Sequence, residues 1–305
     1  MRVTNQIVSH NLRKNIDRQM RNIAQNQLDI SSGKKLSTLS ENPGDLGRAM
    51  ALKTSLDKQE QYKSNIDNAI AWMSQTETAL ADSAELVLSA RDLALEAGNS
   101  GVEESEMKEM ADEISLITDQ IVTNANTVLG RTYIFAGYQT ENTFVDYNSE
   151  NGQLIEGTNP QMYYHGDDSG TVNKEIADGV IMQVNVSGKV FVNGEDNIFK
   201  NLMDLKSALE SGDKDKVSGL LDKLNQNHNN LVQERTGVGS KIKRLESMQE
   251  QIDNQSLNMQ TFLEDLQGVD TFGTTIQLAE NQMAYQASLA VSAKIMQINI
   301  LEYLK

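Results

Sequence analysis

Three histidines, His10, His165 and His228, are the side chains best suited to acid–base or metal chemistry near neutral pH. No two are close in sequence, and no His-Glu-x-x-His pattern sets a pair one helical turn apart. His228 falls on the flank of an apolar heptad, where a packed or surface histidine is expected. Cysteine is absent, which excludes disulfides, thiolate metal sites and cysteine nucleophiles. Gly237-Val238-Gly239 is half of a phosphate-binding loop, but it follows a helical pattern and lacks the third glycine and the Lys-Ser pair. It reads as a helix irregularity. Carboxylates are abundant, yet a glycosidase pair needs a fixed separation across a cleft, which spacing along the chain does not supply. No Gly-x-Ser-x-Gly elbow is present. Trp72 is the one tryptophan and sits among acids and amides, unlike the basic, aromatic stretches that stack nucleic-acid bases. Its expected role is packing. These residue types point to a protein that is not an enzyme and uses no cofactor or metal.

The formal net charge of −16 argues against a general affinity for nucleic acid or anionic membranes. The charge is uneven. At the start, Arg2, Arg13, Lys14, Arg18, Arg21, Lys34 and Lys35 outnumber Asp17 and Asp29, forming either a solvated basic face or a docking surface. Hydrophobic residues make up 38% and aromatics 5% of the chain, a composition suited to elongated packing around thin cores. Only two prolines occur in 305 residues, which permits long helices. Residues 1–30 alternate polar and apolar types without the apolar core of a secretory signal, so export would need a different route. No run approaches the length of a membrane span.

Positional patterns then divide the chain. Residues 1–30 read as a helix with Leu12, Ile16, Ile23 and Ile30 on one side and Val3, Ile7 and Leu28 roughly opposite. Ser31-Ser32-Gly33 ends it. Ser37 to Gly44 reads as a polar loop, with Asn42-Pro43 as N-cap and first helical position. From Asp45 to Ala97 the pattern is helical, with a seven-residue repeat through Ile66, Met73, Leu80, Val87 and Ala94. Gly98 to Gly101 turns the chain into a second helix, where Met107, Ile114, Ile121 and Val128 keep the same period. A short turn between two such helices makes them antiparallel neighbours.

Helical periodicity fails over 131–200, where Gly, Asn, Asp, Glu and Thr accumulate. Val180, Met182, Val184 and Val186 alternate, and Ser187-Gly188 separates them from Val190 and Val192, predicting a β-hairpin. After a short helix near 199–210 the heptads return. Val217, Leu224, Leu231, Val238, Leu245, Ile252, Met259 and Leu266 are apolar at every seventh position. The last helix, about Thr274 to Tyr303, carries two apolar stripes. Ile276, Met283, Ala287, Ala290 and Leu301 form one. Leu278, Tyr285, Leu289, Met296 and Ile300 form the other, roughly opposite. A helix apolar on two faces must be covered on two sides, which a chain end achieves most readily in an assembly.

Three segments resemble one family. Leu28 to Leu36 (LDISSGKKL) with Ser40-Glu41-Asn42-Pro43 resembles the end of the first helix and following loop of flagellin-type proteins. Met283 to Ala290 (MAYQASLA), Ala293 to Gln297 and Leu301 to Leu304 are similar to the flagellin-like C-terminal helix. Gly130, Arg131, Tyr133, Phe135 and Gly137, with Thr140 and Phe144, resemble the run that separates the hook–filament junction branch of that family from flagellin itself. Thr143 departs from the proline common before this phenylalanine, and Gly268 and Gly273 interrupt the approach to the final helix.

The resemblance implies a structural subunit of the bacterial flagellum that joins the hook side to the flagellin filament, with flagellin itself, or a secreted enzyme on the same scaffold, as alternatives. It implies export through the flagellar type III apparatus to an extracellular junction. The implied partners are copies of itself, a hook-side junction protein, flagellin, and an export chaperone on the C-terminal helix. The expected fold is mainly α with a small β insertion. Both chain ends would form a long antiparallel helical coiled-coil bundle, with a mostly β outer domain in the middle. The expected divisions are 1–44 (terminal helix and loop), 45–132 with 201–272 (coiled coil), 133–200 (mostly β) and 273–305 (terminal helix). Leu12, Ile16, Ile23, Ile30, Met283, Leu289, Met296, Ile300 and Leu301 are the expected packing residues.

Overall fold

A computed structural model describes residues 2–35, 43–99, 101–147, 153–155, 157, 161–166, 170–192 and 197–303, with backbone only at 2–6, 8, 9, 43, 153, 154 and 295–303. The elements in chain order are helices α1 (Arg2–Ser32), α2 (Pro43–Ala97) and α3 (Glu104–Ala125), then strands β1 (Val128–Leu129), β2 (Thr132–Tyr133), β3 (Val145–Tyr147), β4 (Gln153–Leu154), β5 (Met162–Tyr164), β6 (Asn173–Ala177) and β7 (Val180–Gln183), then helices α4 (Ile198–Glu210), α5 (Lys214–Gln267) and α6 (Thr271–Tyr303). The chain forms two compact units. One holds 1–58 and 254–305, the other 59–253.

In the larger unit the heptads do what their period dictates. Ile66, Met73, Leu80, Val87 and Ala94 on α2 are buried, and so are Val217, Leu224, Leu231, Val238, Leu245 and Ile252 on α5. Polar pairs cross between the two helices: Lys63 Nζ to Asp253 Oδ1 at 2.6 Å, Gln249 Nε2 to Asp67 Oδ1 at 2.6 Å, Arg235 Nε to Glu77 Oε1 at 2.6 Å, and Arg91 Nη1 to Asn225 Oδ1 at 3.3 Å. Each step forward along α2 meets a step back along α5, so the pair is antiparallel. Gly237 and Gly239 leave α5 unbroken. On α3, Met107, Ile114 and Ile121 complete the core, and Asn124 donates to Ser83 Oγ on α2 at 3.3 Å. Val128 lies beyond the end of α3, exposed in β1, so its heptad position does not correspond to helix.

The expected mostly β middle is not present. Among the described residues its strands are two to five residues long, in two two-stranded sheets and one three-stranded sheet of order β3-β5-β4. Turns and side-chain caps carry the rest of the described chain between them. Asparagine explains why: side chains, rather than long ladders, satisfy the backbone groups. Asn126 donates from Nδ2 to Val145 O at 2.7 Å and accepts from Val145 N at 2.9 Å. Buried Asn185 accepts from Val172 N at 2.8 Å and donates to Gly170 O at 2.7 Å. The hairpin expected around Ser187-Gly188 lies elsewhere. β7 turns back on β6 through Asp178-Gly179, with Gly179 at φ 69°, a pairing suited to a two-residue hairpin loop. Gly188–Val190 is a 3-10 turn whose Ser187 hydroxyl accepts from Lys189 N. The hairpin is strapped to the helices by Asn65 Nδ2 donating to Glu175 O at 2.8 Å and Lys241 Nζ donating to Gln183 O at 3.4 Å.

α2 begins at Pro43, the expected first helical position, and α6 begins at Thr271 rather than Thr274. Asp270 explains the earlier start, since its carboxylate accepts from Gly273 N at 3.1 Å and its carbonyl from Thr274 N at 2.9 Å. The loop at 36–42, including Asn42, lies outside the described residues.

Candidate assembly surfaces on the terminal helices

The smaller unit pairs α1 with α6. Leu12, Ile16, Ile23 and Ile30 all lie half-buried on one side of α1. Ile7 and Leu28, on the opposite side, are exposed. A backbone clip closes one end of the unit. Gly33, at φ 68°, ends α1; Lys35 N donates to Gln267 O at 2.7 Å, and Val269 N donates to Gly33 O at 3.2 Å. The break after α1 is thereby bonded to the break between α5 and α6.

The two faces of α6 differ in cover. Leu278 and Tyr285 are half-buried, and Leu289 on the same stripe is 43% exposed. On the other stripe Phe272 is 77%, Ile276 47% and Met283 62% exposed, with Ala287 and Ala290 also open. The side chains of Met296, Ile300 and Leu301 lie outside the described residues. The seam itself is imperfect. Gln19 Oε1, Asn26 Nδ2 and Ser292 Oγ are buried without a hydrogen-bond partner, and each such atom costs about 1–3 kcal/mol. A helix pair with an open apolar stripe and unpaired seam atoms gains stability when further helices cover it.

The motif from Gly130 to Gly137 lies in the larger unit. Gly130, at φ 66°, and Arg131 form the loop between β1 and β2. Tyr133 N donates to Thr140 O at 2.9 Å, and Gly137 turns the chain again at φ 63°. This folding drives Phe135 inward, edge-on to Phe191 with ring centroids 5.0 Å apart. Phe144 and Phe199 extend the cluster. Gly188 belongs to it by necessity, because a Cβ there would stand 1.8 Å from a Phe144 ring carbon. Sequence reasoning takes Gly188 for a hairpin turn and Phe199 for a helix start, and misses their place in this cluster, since no spacing links them to Phe135. At the edge of this region Tyr147 donates to Asp119 Oδ1 at 2.9 Å. Burial first, and that carboxylate second, raise the Tyr147 phenol above its ordinary range.

The histidines are scattered. His10 is exposed on α1, while His165, just past β5, and His228, on α5, are half-buried in the larger unit. Among the described residues no group of His, Asp and Glu could hold a metal ion, and no helix is long and apolar enough to cross a membrane. Trp72 packs against the core, with its Nε1 buried and unpaired.

Two family models match the chain: the bacterial flagellin N-terminal helical region over residues 3–140 and the bacterial flagellin C-terminal helical region over residues 221–304. Flagellar hook-associated protein 3 of Escherichia coli is 25% identical over 273 residues, covering 85% of this chain and 86% of that protein. Its Salmonella typhimurium counterpart is 24% identical over 284 residues, with the same coverage of 85% and 86%. Among solved structures, Bacillus cereus FlgL is 25% identical and superimposes with a TM-score of 0.58, covering 70% of this chain and 99% of that one.

Proposed function

This chain belongs to the flagellin family, and from that premise we propose that it is a structural subunit of the bacterial flagellum that joins the hook side to the flagellin filament. The similarity to hook-associated protein 3 over most of both chains supports the junction role. The observation that carries the mechanism is the open stripe Phe272, Ile276 and Met283 on a helix whose other side already meets α1.

The terminal helices pack with neighbouring copies into the inner wall of the tube, and the larger unit faces outward. One rim of the zone meets a hook-side junction protein and the other meets flagellin. Heptad packing suits an adaptor, because apolar seams tolerate exchange among side chains of similar size. Export runs through the flagellar type III apparatus to the cell exterior, with a chaperone covering the exposed stripe of α6 beforehand. Residues 1–44 and 273–305 form the polymer core, with Leu12, Ile16, Ile23, Ile30, Met283, Leu289, Met296, Ile300 and Leu301 as its packing residues. Gly130, Arg131, Tyr133, Phe135 and Gly137 hold the outer fold.

Deleting the gene in its host tests the role. Intact hooks, no filaments and flagellin lost to the medium are expected. Filaments of normal length would refute the junction role, and loss of the filament protein itself would make this chain a flagellin.

A further inference from the structure

We propose that the outward face of α1 docks on the acidic face of α3 in a second copy of this chain. This rests on the assembly reading and adds a specific electrostatic contact to it. On α1, His10, Arg13, Lys14, Arg18 and Arg21 share one side at helical spacing and are all exposed. That side is opposite the stripe of Leu12, Ile16 and Ile23. Asp17 is the one acid among them. Among the described residues none of the four Arg and Lys side chains makes an ion pair. Exposed Ile7 and Leu28 lie on the same side, with Met20 at its edge.

The complement is on α3. Glu106, Glu109, Asp112 and Glu113 share one exposed side of that helix. Leu116, 69% exposed, lies in their midst. Glu106 accepts from Glu103 N; the other three make no ion pair among the described residues. Lys108, the one basic residue of α3, lies outside this sector. At about 1.5 Å per residue, the Arg and Lys run from Arg13 to Arg21 extends roughly 12 Å and the acidic run from Glu106 to Glu113 roughly 10–11 Å. The two faces therefore match in length, oppose in charge, and each carries apolar side chains to be covered. They are different surfaces, so the contact is heterologous and repeats from copy to copy.

The cysteine-free chain allows a direct test. Arg18→Cys and Glu113→Cys chains are co-expressed in cells lacking the native copy, and their sheared flagella are treated with a bis-maleimide. A dimer joining the two variants is expected, with several-fold less from either variant alone. Arg18→Glu with Arg21→Glu, built into the Arg18-side partner by moving its cysteine to Lys14→Cys, should lower the yield several-fold. Adding Glu109→Lys with Asp112→Lys to the other chain should restore it. Absence of the mixed dimer, or a yield indifferent to charge reversal, overturns the proposal. So does pelleting of the full chain with phosphatidylserine vesicles that the Arg18→Glu, Arg21→Glu chain loses, which would assign the stripe to a lipid surface. Normal junctions built by the charge-reversed chain would sink this contact and leave the junction role standing. Filaments in the deletion strain would sink the role itself.

Discussion

α5 and α6 are both long, apolar-patterned helices, yet they have opposite fates. Along α5 from Val217 to Ile252 every heptad position is buried. Along α6 one stripe is half-covered by α1 and the other stands open at Phe272, Ile276 and Met283. Their seams differ in the same direction. Among the described residues the α2–α5 pair is crossed by four side-chain bonds, whereas the α1–α6 unit leaves three buried polar atoms unpaired, against Trp72 Nε1 and Asn201 Oδ1 in the larger unit. The larger unit contains its own solution to burial. The smaller one contains half of a solution, and the proposed function assigns the other half to neighbouring subunits.

Mutations in the core of the larger unit should have the largest effect on stability. Phe135→Ala removes a fully buried ring packed on Phe191, the centre of the aromatic cluster, and should cost about 3–5 kcal/mol in denaturant melts. An unchanged midpoint would show that the cluster does not anchor this unit. Gly188→Ala should follow at about 1–3 kcal/mol, because its methyl would drive into Phe144. Met283→Asn and Leu289→Asn invert the pattern. Each should leave the melt of the larger unit within about 0.5 kcal/mol while abolishing filament-bearing junctions in motility assays and micrographs. Normal motility would remove the open stripe from the mechanism. Removing one surface bridge, as in Glu77→Ala opposite Arg235, should cost only about 0.2–1 kcal/mol.

The smallest effect is pH-dependent. Asp213 is held below its ordinary value by the Lys216 side chain first and by the Lys216 amide second, and Lys216 is raised in return. The depressed carboxylate contributes stability above its unfolded value of 3.8, which is lost as pH falls through the lowered folded value. The raised lysine contributes below its unfolded value of 10.5, and that contribution is lost as pH rises past the higher folded value. Asp213→Asn should therefore flatten the acid limb of the stability curve slightly and leave the range between pH 5 and 9 parallel to the parent.

The helices were legible because period and burial coincide: Ile66 to Ala94 and Val217 to Ile252 repeat every seven residues and are buried accordingly. The double stripe on α6 was equally plain, since two opposed apolar faces cannot both meet α1. The middle is not legible in the same way, because alternation at Val180 to Val186 resembles a strand pattern, while the register is set by Gly179, and Asn126 and Asn185 replace ladders with side-chain bonds. The aromatic cluster and the clip from Lys35 to Gln267 join residues far apart in sequence, and neither leaves a periodic trace.

Amide hydrogen exchange, compared between the free subunit and isolated junctions, tests the central claim most directly. The account predicts that residues 217–252 of α5 are protected in both states, while residues 272–294 of α6 exchange quickly in the free subunit and become protected on assembly. Equal protection of the two segments in the free subunit would contradict it, because α6 would then be complete without its neighbours.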